Sequence, residues 1–279
     1  MKKTTFFSVL LLLFAMALIS CEKEDNTVNE TDLMTVEDLT TVEDLMLDAE
    51  DDLEELIENG LTNEDGLVVR NECPTRTVVP AGDAFPKTIT IDYGDACTTP
   101  RDRVKSGQII VELSAPRQEA GATRTVTFVN YFVDGVNLQG SNTLVNNGRD
   151  QDGNISFTRS FNHTIVYPDG DQATWEGSNT VTQIAGANTP RIRADDVFLT
   201  TGSTAGVNRD GKSYSSTIVT PLRKENRCPW ISQGIRQVDR NGNAFTIDYG
   251  FGGGCDNRAE VTLPNGETRT IRIRAWWRR

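Results

Sequence analysis

Four cysteines have the spacing for covalent cross-links. They fall in two pairs, Cys73 with Cys97 and Cys228 with Cys255. In an oxidising compartment, an even number of cysteines at a repeated spacing indicates a disulfide framework. Three connectivities are possible, and we predict Cys73–Cys97 and Cys228–Cys255 because each pair falls opposite across its own predicted hairpin. A zinc site is the alternative, but widely spaced pairs without a nearby histidine disfavour it.

The start of the chain predicts lipidation at a fifth cysteine. Two lysines precede an apolar run from Phe6 to Ile19, and Ser20 and Cys21 follow. This is the layout of a secretory signal, and the run is shorter than the roughly 20 apolar residues that a membrane span needs. The ending at 18–21 resembles the bacterial lipobox. We therefore expect residues 1–20 to be a lipoprotein signal peptide and Cys21 to be lipidated. An ordinary signal peptide or an uncleaved anchor is the alternative.

Residues 21–34 are predicted to form an acidic tether. Residues 22–26, Glu-Lys-Glu-Asp-Asn, resemble the export tag of Bacteroidota lipoproteins, which implies an outer-membrane location with display at the cell surface. The acidity is confined to this end of the chain. Of the formal net charge of −12, residues 22–66 hold 18 Asp or Glu against one Lys, and residues 67–279 carry +3. The low pI therefore says little about partners, and we predict no nucleic-acid partner.

Candidates for nucleophilic or metal chemistry are few. His163 is the only histidine, and no Gly-x-Ser-x-Gly elbow accompanies it. We expect a histidine packed within a strand. Residues 150–154 resemble the start of a calcium loop, but the Glu that completes the loop is missing. We therefore predict no metal and no cofactor.

Carboxylates are the serious catalytic alternative, because a glycoside hydrolase needs only two of them. The strand-end aspartates more simply accept hydrogen bonds from turn amides. We therefore assign no catalytic residue. The candidates are Asp92, Glu176, Asp195, Asp196 and Asp248.

The C-terminus offers a candidate binding patch. Arg274, Trp276, Trp277 and Arg278 could present cations and aromatic rings to a glycan or to an envelope protein, because tryptophan and arginine are favoured in binding hot spots. The structural alternative is that the Trp pair closes the end of the sheet.

One acidic amphipathic helix is predicted at residues 35–60. Leu39, Val42, Met46, Ala49, Leu53 and Leu56 recur at helical spacing and form one apolar stripe. Thr35 with Asp38 offers a capping box, and Asn59-Gly60 offers a stop. Because a lone acidic helix repels itself, we expect the stripe to pack on the rest of the chain, although binding a partner helix is the alternative.

Residues 67–279 are predicted to form an antiparallel β domain. Apolar and polar residues alternate, and Asn-Gly or Asp-Gly pairs that favour hairpin turns separate the runs. The expected strands, about a dozen, include 123–133, 172–185 and 192–200. A meander of this size, with apolar residues on one face and polar residues on the other, must curl into a half-barrel, a barrel or a two-layer sheet. The turn pairs begin at Asp134, Asn147, Asp152, Asp169, Asp210, Asn241 and Asn265.

Three segments resemble a group of Bacteroidota lipoproteins without an established activity. They are 87–94, 202–214 and Cys228-Pro229-Trp230-Ile231. The resemblance implies a β-rich body on an exported lipoprotein and assigns no site. We therefore expect a lipid-anchored, non-catalytic envelope protein with a binding, adhesion or structural role. A carboxylate-dependent hydrolase acting on polysaccharide is the alternative.

Overall fold

A computed structural model describes residues 30–61, 73–189 and 192–273, which form one helix and one antiparallel sheet of fourteen strands. The predicted fold class, all-β with one helix, is confirmed. The elements are α1 Glu30–Leu61, β1 Thr75–Val79, β2 Lys87–Asp92, β3 Cys97–Thr98, β4 Val104–Leu113, β5 Thr123–Val133, β6 Val136–Arg149, β7 Ile155–Val166, β8 Gln172–Ala185, β9 Val197–Val207, β10 Ser213–Glu225, β11 Ile231–Arg240, β12 Asn243–Asp248, β13 Arg258–Thr262 and β14 Thr268–Arg272.

The sheet is a meander that stays open. Each strand pairs with the next along the chain, except that β2 pairs directly with β4 and the short β3 pairs beside it with β4. Strands β1 and β14 are the edges of this order and do not pair with each other in the described part of the chain, so the sheet is not closed into a barrel. Its inward face curls around α1, since side chains of both β4 and β11 reach the helix.

The apolar stripe of α1 packs into the sheet as predicted. Leu39, Val42 and Leu53 are almost fully buried in one core with side chains of most strands of the sheet. The opposite, acidic face is also buried, with Asp38 and Asp48 each 1% exposed. An entirely apolar inward face of the sheet would leave these carboxylates without partners. The expectation that one face of the sheet is apolar throughout is therefore wrong.

The helix is longer than predicted. It begins at Glu30, so residues 30–34 belong to the helix and not to a tether, and it continues past Asn59-Gly60 to Leu61. Thr35 therefore lies inside the helix, and its hydroxyl donates to the carbonyl oxygen of Thr31 instead of forming a capping box. Among the described residues, no helix combines the length and the apolar character needed to cross a membrane.

Both predicted disulfides are present. The Cα atoms of Cys73 and Cys97 are 5.8 Å apart, and those of Cys228 and Cys255 are 5.6 Å apart. In the second unit the register is the predicted one, since Arg236 pairs with Ile247 across a two-residue turn. Strands β13 and β14 lie beyond this unit, so only the first unit sits at a sheet edge.

Local geometry departs from the sequence pattern at two places. Asn147-Gly148 lies inside β6 and forms a bulge against β7, not a hairpin turn. The strand predicted at 192–200 starts at Val197 and runs to Val207, because Arg193–Asp195 form a short 3-10 turn. Strands β5 and β8 have the predicted bounds.

Candidate functional site

The interior of the sheet is lined with cations that meet the acidic face of α1. Basic residues occupy inward positions on several strands and connections, and most of them pair with a carboxylate of the helix. The main pairs are Asp32–Arg240, Asp38–Arg209, Glu43–Arg236, Asp44–Arg103, Asp48–Lys105, Glu50–Arg124, Asp51–Lys224 and Glu54–Arg117.

The pair that contains the most buried cation joins Glu43 to Arg236. The guanidinium of Arg236 is fully buried and lies 2.6 Å from the Glu43 carboxylate. The same carboxylate accepts a hydrogen bond from the Tyr249 hydroxyl at 2.7 Å. Burial alone would lower the pKa of Arg236, but Glu43 together with Tyr249 and Tyr214 outweighs burial and raises it. This charged pair therefore fastens β11 and the end of β12 to the middle of α1.

A second buried group surrounds Lys105 on β4. Its ammonium lies 2.7 Å from Asp48 and also pairs with Asp52, which accepts a hydrogen bond from the Tyr93 hydroxyl at 2.6 Å. Burial would lower the pKa of Lys105, but Tyr131 and the two carboxylates together outweigh burial and raise it. Lys105 stays protonated and holds the first part of the sheet to the helix.

Three arginines converge on Glu54 in the C-terminal half of α1. Arg117 lies 2.8 Å from the carboxylate and Arg124 lies 3.4 Å from it, and Arg193 approaches from the connection between β8 and β9. Burial would raise the pKa of Glu54, but the three guanidinium groups outweigh burial and lower it to about 2. At neutral pH this carboxylate holds no proton to donate, which suits a structural anion.

A cavity of about 360 Å³ opens beside Glu54, and we call it the rim cavity. It lies between the C-terminal half of α1, the inward faces of five strands (β2, β4, β5, β6 and β7) and the connection from β4 to β5. Most of the surface that lines it is apolar. The apolar side chains that line it include Phe85, Leu113, Pro116, Ala122, Leu144 and Phe157.

Lys87 lies in the wall of the rim cavity without an acidic partner. It is 2% exposed, its ammonium donates to the carbonyl oxygen of Gly82, and it lies 4.9 Å from the ring centre of Phe85. No described carboxylate forms an ion pair with it. Asp83, which also lines the cavity, is exposed to solvent.

Lys87 starts a row of inward residues that crosses five strands. The paired positions are Lys87, Leu113, Arg124, Leu144 and Arg159. Because neighbouring strands are about 4.8 Å apart, cations recur in this row roughly every 10 Å. Arg124 is neutralised by helix carboxylates, whereas Arg159 forms no ion pair with the described residues and lines a smaller adjoining cavity of about 80 Å³. Burial lowers the pKa of Arg159.

His163 is packed within β7, where the sequence placed it. Its ring stacks near Phe161 and Trp175, and its Nδ1 donates to the carbonyl oxygen of Gln139 at 3.2 Å. Its Nε2 is buried, with no hydrogen-bond partner among the described residues. Burial lowers the pKa of His163 to about 4. The neutral ring therefore acts as an aromatic core residue.

The strand-end carboxylates are held locally and are not brought together. Asp92 accepts from the amide of Gly94 at 2.8 Å on β2, and Asp248 accepts from the amide of Gly250 at 2.7 Å on β12. The other three candidates are as dispersed. Glu176 is exposed on β8, Asp195 accepts from Thr189, and Asp196 accepts from Gln183.

The remaining sequence candidates divide between turns and undescribed ends. Asp150 accepts from the amides of Asp152 and Asn154, as in an ordinary hairpin turn. Within the described ranges no cluster of metal-ligating side chains occurs. Cys21 and the four residues of the C-terminal patch lie outside the described residues.

The inward cations and the rim cavity were missed at the level of the sequence. A signal for the cations existed, since Arg124 shares its alternation phase with Val126, and Arg159 shares its phase with Phe157 and Phe161. A cation in a buried phase beside an acidic helix indicates a buried ion pair. No local signal marked the cavity, because its walls come from distant parts of the chain.

Comparisons of the chain with protein-family models, curated proteins and solved structures found no match in any of the three. The resemblance to Bacteroidota lipoproteins therefore stays a prediction that depends on the segments quoted above.

Replacing Glu43 by Gln is expected to lower the free energy of unfolding by about 3–5 kcal/mol, because Arg236 is then left buried without a counter-ion. The control is Glu37→Gln, which removes a carboxylate that is 39% exposed and lies 3.2 Å from Arg209. Arg209 keeps its second partner, so the control should cost less than about 1 kcal/mol. Urea unfolding at pH 7 measures both, and equal losses would contradict a buried clamp.

Acidification should destabilise the protein through His163. The pKa in the folded state, about 4, lies below the ordinary 6.5, so the contribution to stability is complete above pH 6.5 and is lost as the pH falls towards 4. Between pH 7.5 and pH 5 we expect a loss of roughly 2 kcal/mol.

Replacing His163 by Phe should remove most of that loss while keeping an aromatic ring in the stack. The measurement is urea unfolding of both proteins at pH 7.5 and pH 5. An unchanged pH dependence in the variant would show that other groups cause the effect.

Proposed function

We propose that this chain is a lipid-anchored, non-catalytic protein of the bacterial envelope that binds a small ligand in the rim cavity. The observation that carries the proposal is the cavity itself, which is about 360 Å³ in volume and has a mainly apolar surface. Ligand sites are typically concave, mainly apolar spaces of about 300–1,000 Å³ with a few placed polar groups. Lys87, and Glu54 with its arginine partners, supply those polar groups.

The protonation state of Glu54 favours a binding role over hydrolysis. A glycoside hydrolase needs one carboxyl group that holds a proton and a second that acts as base or nucleophile. Glu54, the buried carboxylate at the cavity, has a pKa of about 2 and three arginine partners. Its geometry suits a fixed counter-ion in the wall of a binding site.

The position of the cavity fits a body attached through its N-terminus. Helix α1 begins nine positions after Cys21, and Glu54 lies 24 residues further along the helix. At 1.5 Å per residue, this places the cavity about 36 Å along the helix axis from Glu30. With Cys21 as the anchor, the cavity would lie towards the end of α1 that is further from the anchored N-terminus.

A neutral apolar probe tests the binding role. The mature chain carrying Cys21→Ser, which removes acyl groups that would compete, should bind 1-decanol saturably in calorimetric titration. Ala115→Phe places a ring in the cavity wall and should weaken this binding at least tenfold, whereas Ala81→Phe, at an exposed position in the same region, should not. Absent saturable binding, or equal binding by both variants, would refute the role.

Lipidation is tested separately with the full precursor in a bacterial host. Labelled palmitate should be incorporated into the wild-type protein and lost completely in Cys21→Ser, because the acyl groups attach to that residue. The control is Cys73→Ser with Cys97→Ser, which removes two cysteines and should leave the label in place. Label retained by Cys21→Ser would exclude the predicted anchor.

A further inference from the structure

We propose that the rim cavity takes a small amphipathic monoanion, an apolar body with a single carboxylate, and that Lys87 is the residue that recognises the carboxylate. This inference rests on the proposed binding role and names the class of ligand that fills it.

The first argument is the unbalanced charge of Lys87. A lysine ammonium has three donors, and the only hydrogen-bond acceptor that the described residues offer it is the carbonyl oxygen of Gly82. Burying a cation without a counter-ion is costly, and buried charges in proteins are normally paired. Lys105, equally buried on the neighbouring strand β4, illustrates this with two carboxylates. A ligand carboxylate would supply Lys87 with the counter-ion it lacks.

The second argument is the polarity of the rest of the cavity. Phe85, Leu113, Leu144 and Phe157 present aromatic and aliphatic surface around the space next to Lys87. Burying apolar ligand surface here gains roughly 25 cal/mol per Å². At about 30 Å³ per non-hydrogen atom, 360 Å³ holds roughly a dozen atoms. A fatty acid of about ten carbons matches both the volume and the walls.

The third argument is that the other charges at the buried end of the cavity are already satisfied or positive, whereas the carboxylate of Asp83 is exposed to solvent. Glu54 is neutralised by three arginines, and Arg124 is neutralised by Glu50 and Glu54. Arg159, further along the row that begins with Lys87, adds a positive charge that forms no ion pair with the described residues. The buried end of the cavity therefore favours an anion over a neutral or cationic head group.

A purely structural role for Lys87 is the competing explanation. Its bond to Gly82 ties the connection between β1 and β2 to the sheet, and a lysine with only this role would be indifferent to the charge of a ligand. The two explanations therefore differ in how binding depends on the head group of the ligand.

The experiment compares three probes with the same ten-carbon chain, namely decanoate, 1-decanol and decyltrimethylammonium. They are titrated by calorimetry into the mature chain carrying Cys21→Ser. We expect decanoate to bind at least tenfold more tightly than 1-decanol, and the cation to bind more weakly than either. Lys87→Met, which keeps most of the length of the side chain and removes its charge, should reduce the affinity for decanoate to that for 1-decanol.

Lys212→Met, at an exposed position outside the cavity, is the matched control and should bind all three probes as the parent does. Circular dichroism melting confirms that each variant is folded. If 1-decanol binds but decanoate is not preferred, or if Lys87→Met binds decanoate as tightly as the parent, the ligand class is wrong while the binding role stands. If no probe binds, both proposals fail.

Discussion

The pairing of helix carboxylates with cations on the inward face of the sheet is the interaction on which the rest of the structure depends. Removing an ion from water costs several kcal/mol, and the cost is recovered only when a partner and its hydrogen bonds are well placed. Without α1, the inward cations Lys105 and Arg236 would be buried without counter-ions. Without the sheet, the acidic face of α1 would repel itself. Each part therefore needs the other, and a sheet too large to stay flat curls around the one element that neutralises it.

The local part of the fold could be predicted from the sequence, because it depends on short-range patterns. Period-two alternation and turn pairs predicted the observed bounds of β5 and β8. The turn at Asn241-Gly242 predicted the register that pairs Arg236 with Ile247. The same register brought Cys228 near Cys255. The apolar stripe of α1 identified which of its residues enter the core. In each case one segment, or two segments joined by a short turn, carries all the information.

The rest could not be predicted, because it depends on what faces a residue from elsewhere in the chain. Arg236 and Lys105 belong to strand phases that are normally apolar, and only the arrival of Glu43 and Asp48 from α1 makes their burial favourable. Thr35 matched a capping pattern, but its hydroxyl is used inside a longer helix. The rim cavity has walls from five strands, so no stretch of sequence could reveal it. Charge burial and cavities are properties of the assembled interior.

The same ion pairs explain why the rim cavity stays open. Leu144, Phe157 and Val181 form an apolar cluster separate from the main core, and Arg124 lies in the inward row beside this cluster, paired with Glu50 and Glu54. Apolar walls tend to collapse on one another when they can move. Here the charged wall cannot move inward to fill the cavity. Displacing Glu54 would break its contacts with three arginines from three different segments. A rigid charged wall beside an apolar one gives a space that is formed before any ligand arrives.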